Sequence, residues 1–313
     1  MIQRGFLAVS LAGFTTDNLT AAMSAFFIVQ ALAVLAIGLL ADRIKSSYLI
    51  LLGGIAGTFG IIEIAYPWMF GLGFGIAAAV TKMIPFSSVL KARDGNDAMH
   101  IAPQAIAKTV GKAAFTAGLA ATLGHIAFHS YVGAVAPFWM VISLWAYAYV
   151  RQYEIELVKW DWASIKGVLA NYKWYVYTLI YVIVTLAYYW VIPHVIPSLM
   201  NTGMSKKEAA YLFATGMMIL APLRFGFAWL ADKTRYYGTM FIAMAVTYVG
   251  LVWFIPVAPV LGTWLFMAAS KASTPTYWPM LKQWTDKKYI GTAMGMCLII
   301  AYLATGYLIG KWE

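Results

Sequence analysis

The sequence predicts an all-α membrane protein with about eleven transmembrane helices in two pseudo-symmetric bundles. Hydrophobic residues make up 62% of the 313 residues and charged residues only 11%, and the mean hydropathy is +0.75. A soluble domain has about a quarter charged residues. The apolar stretches are long and continuous, whereas a transmembrane barrel would show short segments of alternating polarity. Helices are therefore expected to cross the bilayer, because they satisfy their own backbone hydrogen bonds.

The apolar stretches define the predicted spans in chain order. They lie near residues 5–16, 20–41, 48–66, 68–90, 107–129, 132–150, 173–198, 208–231, 237–256, 258–281 and 289–310. A full crossing needs about 20 apolar residues, and the first stretch is shorter and ends in Thr15, Thr16 and Asp17. We therefore expect the chain to begin partway through a helix and to lack a twelfth helix.

The distribution of lysine and arginine predicts the orientation in the membrane. Only Lys206, Lys207 and Lys311 fall on one side of the predicted topology, whereas 16 basic residues fall on the other. Because Lys and Arg accumulate in cytoplasmic loops, the amino terminus is expected in the cytoplasm, and we expect the bacterial inner (plasma) membrane. The net charge of +10 lies mostly in these loops, so it indicates topology and not nucleic acid binding.

A polar segment and an internal repeat predict the division of the chain. Residues 151–172 interleave charged and aromatic residues, as expected of an amphipathic cytoplasmic linker on the membrane surface. The flanking regions, 1–150 and 173–313, align at an offset of about 190 residues, which places Asp42 opposite Asp232. Internal repeats of this kind are typical of transporters, so we expect two helix bundles.

Three basic residues inside predicted spans are the strongest candidates for a binding site: Lys82, Arg224 and Lys271. A charged side chain in a span costs at least about 2.5–3.5 kcal/mol, and the predicted spans place no carboxylate at the same depth. A bound anion in a water-filled cavity would compensate these charges. The alternative is that each lysine extends its ammonium group to the lipid headgroups.

Aromatic residues are candidates for the wall of such a site. Trp174, Tyr177, Tyr181 and Tyr188 share one side of the seventh predicted span, and Tyr277 is close in sequence to Lys271. We expect Tyr181 and Tyr277 to contact the solute, although interfacial belts and helix packing also use such residues.

The sequence carries no motif that predicts nucleotide binding, metal binding or nucleophilic catalysis. It contains no phosphate-binding Gly-x-x-x-x-Gly-Lys-Ser/Thr motif, no His/Cys cluster with metal-ligand spacing and no nucleophile motif. We therefore expect no enzyme activity, no metal and no cofactor. The single cysteine, Cys297, permits no internal disulfide.

The loop after the second span carries a motif that the second half repeats. Gly38-Leu-Leu-Ala-Asp42-Arg43 aligns with Ala228-Trp-Leu-Ala-Asp232-Lys233. A carboxylate at a helix end can bind the positive amino terminus of another helix or a nearby arginine, and so hold one conformation closed. We expect Asp42, Arg43, Asp232 and Lys233 to form a conformational latch; the alternative is that these boundary charges only solvate the loops.

This repeated loop resembles the signature of the major facilitator superfamily. Glycine-rich segments at 71–75 and 291–295 look like two of its helices. The resemblance implies two six-helix bundles around a central cavity that opens alternately to each side. Arg224 resembles the substrate-binding arginine of the oxalate:formate and monocarboxylate-like branch.

These observations predict a secondary transporter that moves a small anion, either an organic carboxylate or an inorganic oxyanion, by alternating access. The expected partners are the lipid bilayer and the anionic solute. The alternative is a transporter-like subunit or assembly factor without transport activity, held in a larger membrane complex by a protein that supplies the missing helix contacts.

Overall fold

The computed structural model describes residues 16–62, 67–92, 95–122, 128–151 and 162–309. These residues form α-helices joined by short turns and one 3-10 turn at Lys287–Tyr289, and they contain no strand. The predicted all-α membrane class is confirmed. Much of the first predicted span, the linker residues 152–161 and the last four residues lie outside the described residues.

The described helices follow the predicted spans closely at most positions. In chain order they are α1 (Thr16–Ala41), α2 (Ser46–Ile62), α3 (Pro67–Ala92), α4 (Asp97–Thr122), α5 (Phe128–Arg151), α6 (Trp162–Leu169), α7 (Tyr172–Met200), α8 (Lys206–Ile219), α9 (Leu223–Thr234), α10 (Tyr237–Val257), α11 (Pro259–Trp284) and α12 (Ile290–Ile309). The short helix α6 lies within the predicted linker 151–172.

Two spans differ from the sequence prediction. The fifth was expected at 107–129, but α4 begins ten residues earlier, at Asp97, because its first turns are polar and escape a hydropathy criterion. The eighth, expected as one helix over 208–231, is a pair, α8 and α9, bent by 42°. Pro222 lies in the break, where its missing N–H and its ring disfavour a continuous helix.

Length and hydropathy identify the membrane-crossing candidates among the described helices. Four are long and apolar enough by these criteria alone: Gly71–Lys91, Tyr172–Met200, Tyr237–Val257 and Ile290–Tyr307. The bent pair makes a fifth, and Ala25–Ala41, Ser46–Gly60 and Trp139–Ala148 are shorter apolar helices. Large apolar side chains such as Val246, Trp253 and Val257 are exposed on α10, as expected of a lipid-facing surface.

One of two compact units in the described part of the chain contains α1, α2, α3, α5, α6 and α12, with the first turns of α7 and the last turn of α11. In this unit α1 packs against α3 and α12, and α2 packs against α3 and α5. The helices α1 and α12 approach through glycine: a Cβ built on Gly38 would lie 2.7 Å from the Gly291 carbonyl oxygen and from the Gly295 Cα.

The other unit contains α4, α8, α9, α10 and the remaining parts of α7 and α11. Here α4 packs against α8 and α9. Ser205 and Glu208 begin α8 with a capping box, in which each side chain accepts a backbone N–H from the other residue. Each unit thus combines helices from both halves of the sequence.

Candidate functional site

Asp42, at the end of α1, binds the amino terminus of α12 in the first unit. Its carboxylate accepts the backbone N–H of Gly291 at 3.1 Å and of Thr292 at 2.8 Å, and the Thr292 hydroxyl at 2.7 Å. These amides belong to the first turn of α12, where N–H groups have no partner within the helix. The negative charge is also favoured by the positive end of the helix dipole.

Lys91 supplies the counter-ion of Asp42. Its Nζ lies 2.5 Å from the Asp42 carboxylate and donates to the Ala41 carbonyl at 2.9 Å. The carboxylate is fully buried, so the pair is shielded from solvent screening. Three helices, α1, α3 and α12, therefore meet at one charged contact.

Asp232, at the end of α9, makes the corresponding contact in the second unit. Its carboxylate accepts the backbone N–H of Ala98 at 3.1 Å and of Met99 at 2.8 Å, in the first turn of α4. The Tyr237 hydroxyl also donates to this carboxylate. The two repeat-related aspartates thus bind helix amino termini in the same way but use different additional partners, a lysine at Asp42 and a tyrosine at Asp232.

The two basic residues that the sequence analysis assigned to the latch lie beside their own helices. The Arg43 guanidinium donates to the Leu39 carbonyl. The Lys233 Nζ lies 4.7 Å from the centroid of the Trp229 ring. Lys91 is not among the residues predicted for the latch, although it lies in the last turn of α3; only the packing of α3 against α1 identifies it.

Lys82 is buried in the first unit, against a tyrosine of another helix. Its side chain is on α3 and 8% exposed, and its Nζ donates to the Tyr302 hydroxyl on α12. The ammonium also lies 4.5 Å from the centroid of the Tyr302 ring, within the range of a cation–π interaction. Tyr302 is a partner that the sequence analysis missed, because the two residues are 220 positions apart.

Arg224 is buried in the second unit, immediately after the break between α8 and α9. Its side chain is 7% exposed. The guanidinium donates to the Thr109 hydroxyl on α4 through Nε at 3.2 Å and Nη2 at 3.1 Å. This contact fixes the orientation of the guanidinium plane, and a guanidinium is suited to bidentate binding of a carboxylate or another oxyanion.

Lys271 is the most buried of the three cations, with 0% exposure on α11. Its Nζ lies 3.1 Å from the sulfur of Met217 on α8, and a thioether is only a weak acceptor. Within the described part of the chain, no carboxylate forms an ion pair with it.

Tyr181 and Tyr277 lie in one aromatic cluster of the second unit. Their ring centroids are 5.2 Å apart in an edge-to-face arrangement. Trp278 lies 5.6 Å from Tyr181, and Phe241 lies 6.0 Å from Tyr277. Both tyrosines are buried, so the cluster packs α7, α10 and α11 together, and their predicted contact with the solute stays a prediction.

The structure therefore divides the expected cations between the units. Arg224 and Lys271 belong to one unit and Lys82 to the other. In the part of the chain that the structure describes, we find no group of three or more His, Cys, Asp or Glu side chains that could hold a metal ion.

Three solved structures share the fold over almost the whole chain. No family model and no curated protein matches. The human organic anion transporter MFSD10 (TETRAN) is 13% identical, with a TM-score of 0.66 over 97% of this chain and 80% of its own.

The other two structures give similar values. The major facilitator superfamily transporter FucP, in the outward conformation, is 16% identical, with a TM-score of 0.64 over 97% of this chain and 84% of its own. A mutant of the peptide transporter POT is 15% identical, with a TM-score of 0.57 over 99% of this chain and 84% of its own. The chain therefore has the fold of the major facilitator superfamily transporters.

Proposed function

We propose that the protein is a secondary transporter that moves a small anion across the membrane by alternating access. The observation that carries this proposal is the burial of Lys271 with a thioether sulfur at 3.1 Å. A buried ammonium requires compensation by opposite charge or by strong hydrogen bonds. A transported anion supplies both, and it supplies them only while it is bound.

Arg224 extends the proposed site toward an organic carboxylate or an inorganic oxyanion. Nε and Nη2 both donate to the Thr109 hydroxyl, which holds the guanidinium plane in place. A planar guanidinium binds two oxygens of one anion better than it binds a neutral solute. The resemblance of Arg224 to the binding arginine of the oxalate:formate branch supports the same solute class, and MFSD10 is itself described as an organic anion transporter.

The contacts of Asp42 and Asp232 support the mechanism. Each joins a helix of one sequence half to the amino terminus of a helix in the other half: α1 to α12, and α9 to α4. We infer that residues 1–150 and 173–313 move as two bundles and that these contacts hold the cytoplasmic side closed. The amino terminus is then cytoplasmic.

Flux through proteoliposomes tests the proposal. Wild-type protein is reconstituted, and uptake of radiolabelled formate, oxalate, acetate, glycolate, phosphate and sulfate is measured against protein-free vesicles. Lys271→Gln and Arg224→Gln should each abolish uptake of the transported anion. Lys206→Gln is the matched control, because this lysine is exposed in the first turn of α8, and it should keep wild-type uptake.

Two results would contradict the proposal. The site is wrong if both variants transport the anion at the rate of wild type and of Lys206→Gln. The function is wrong if wild-type protein moves none of the six anions. Stable co-purification with another membrane protein in that case would instead support a transporter-like subunit or assembly factor.

A further inference from the structure

Gln30 is a buried amide inside the first unit that none of the motifs explains. Its side chain is 3% exposed, on α1, and its Oε1 accepts no hydrogen bond within the part of the chain that the structure describes. Buried polar side chains in proteins nearly always have a partner. An amide carbonyl without one, in the apolar segment Ala25–Ala41 of α1, points to a ligand with a donor group.

The Asp42 contact fixes the depth of Gln30 relative to Lys82 and Tyr302. Asp42, Lys91 and Gly291 meet at one point, and the three helices extend from it in the same direction. Along their helices Gln30 lies roughly 18 Å from Asp42, Lys82 roughly 14 Å from Lys91 and Tyr302 roughly 17 Å from Gly291, at 1.5 Å per residue. By this measure the three residues lie within about 4 Å of one another in depth. The close approach of Gly75 to the Gln30 backbone instead places the Lys82 backbone about 10 Å nearer to Lys91 than the level of Gln30. The lysine side chain tilts toward the N-terminus of α3 and so shortens this gap.

Neighbouring contacts also fix the side of α1 on which Gln30 lies. The ring centroids of Phe27 and Tyr302 are 6.4 Å apart, and a Cβ built on Gly295 would lie 2.7 Å from the Val34 carbonyl oxygen. The side of α1 that carries Phe27 and Val34 therefore faces α12. A Cβ built on Gly75 of α3 would lie 2.9 Å from the Val29 Cβ and 3.0 Å from the Gln30 backbone nitrogen. The position of Gln30, between the sides facing α12 and α3, places it at the junction of α1, α3 and α12.

Lys82 belongs to the same junction. It follows Gly75 by seven residues, two helical turns, and so lies on the same face of α3, the face toward α1. Its ammonium reaches Tyr302 on α12. A cation and a phenol hydroxyl therefore meet at this junction, and Gln30 lies on the α1 side of the same three-helix junction.

We propose that Gln30 determines solute specificity by accepting a hydrogen bond from the transported anion while it is bound at Lys82, a binding position separate from that of Lys271 and Arg224 in the second unit. The favoured solute is an anion that carries its own donor, such as a hydroxycarboxylate or a protonated oxyanion. Lys82 would bind the negative oxygens, and the Gln30 carbonyl would accept the solute O–H. This inference rests on the proposed transport of an anion.

Matched solutes test the inference in the unmodified protein. Glycolate and acetate differ by one hydroxyl group, and phosphate carries a hydroxyl at neutral pH that sulfate lacks. Each solute competes with uptake of the radiolabelled transported anion in proteoliposomes. The half-inhibitory concentration should be at least about tenfold lower for the hydroxyl-bearing member of at least one pair. A site built to accept a hydroxyl discriminates against an analogue without it.

Gln30→Leu, which nearly preserves volume, should remove this discrimination by weakening only the donor-bearing solute. Ser143→Ala is the matched control: Ser143 is buried in the same unit but donates to the Trp139 carbonyl of its own helix at 2.8 Å, so selectivity should not change. Elution as a single species and an unchanged thermal midpoint show that each variant is folded.

The failures of the two proposals are distinguishable. If wild-type protein transports both members of each pair equally, or Gln30→Leu keeps the preference, the Gln30 inference is wrong and anion transport stands. If wild-type protein transports none of the four solutes or the wider panel, the proposed function fails first. Should Gln30→Leu not fold, the selectivity of the wild type alone decides.

Discussion

Replacement of Asp42 by asparagine gives the sharpest test of the helix-end contact. The side chain keeps its shape and one carbonyl oxygen, but it loses the charge that accepts the N–H groups of Gly291 and Thr292 and that pairs with Lys91 at 2.5 Å. Breaking a buried ion pair on one side costs about 3–5 kcal/mol. Separation of α12 from α1 should therefore become about 100- to 4,000-fold more frequent, at 1.4 kcal/mol for each factor of ten.

Hydrogen–deuterium exchange in lipid nanodiscs measures this effect at the atoms concerned. The amide hydrogens of Gly291 and Thr292 are bonded to the carboxylate itself, so their exchange rate reports the frequency of opening. Asp42→Asn should accelerate exchange at these two amides, while the middle of α7 stays protected. Asp232→Asn is the matched control, and it should leave them unchanged.

One result would refute the reasoning about Asp42. If Asp42→Asn changes exchange at Gly291 and Thr292 by less than about threefold, which is below 1 kcal/mol, the carboxylate does not hold α12. Acceleration throughout the protein would also contradict it, because that pattern would indicate global destabilisation.

Three further changes have expected outcomes. Tyr237→Phe removes a hydroxyl donor from Asp232 and should cost about 1.5–3 kcal/mol, seen as faster exchange in the first turn of α4. Gly38→Leu places a side chain where a Cβ already lies 2.7 Å from backbone atoms of α12, and it should lower the thermal midpoint through overpacking of about 1–3 kcal/mol or more. Lys271→Met replaces a buried ammonium beside Met217 by an apolar chain of similar length. It should leave the thermal midpoint equal or higher and abolish anion uptake. A large fall in the thermal midpoint would contradict this account of Lys271.

The sequence was sufficient to predict features that depend on one helix at a time. Long apolar runs predicted α7, α10, α11 and α12 to within three residues at either end, because a bilayer demands continuous apolar segments. The motif around Asp42 and Asp232 was visible because both repeats keep it. The polar first turns of α4 escaped this criterion, since hydropathy measures the apolar length and not the helix.

Features that depend on which helices meet could not be predicted. Tyr302 as the partner of Lys82, Thr109 as that of Arg224 and Lys91 as that of Asp42 are all separated by tens to hundreds of residues. No local periodicity encodes such pairs. Gln30 was missed for a related reason: its significance lies in a hydrogen bond that its carbonyl does not accept from any of the described residues.

The crossing of α1 and α12 has a mechanical consequence. Where Gly38 meets Gly291 and Gly295, the surfaces in contact are backbone and hydrogen, with no branched side chain inserted between the two helices. Interlocked side chains must change rotamer before two helices can part, whereas smooth surfaces can slide or separate as rigid bodies. Where the glycines meet, resistance to motion therefore comes from the Asp42 carboxylate at the end of the crossing and not from interlocked side chains.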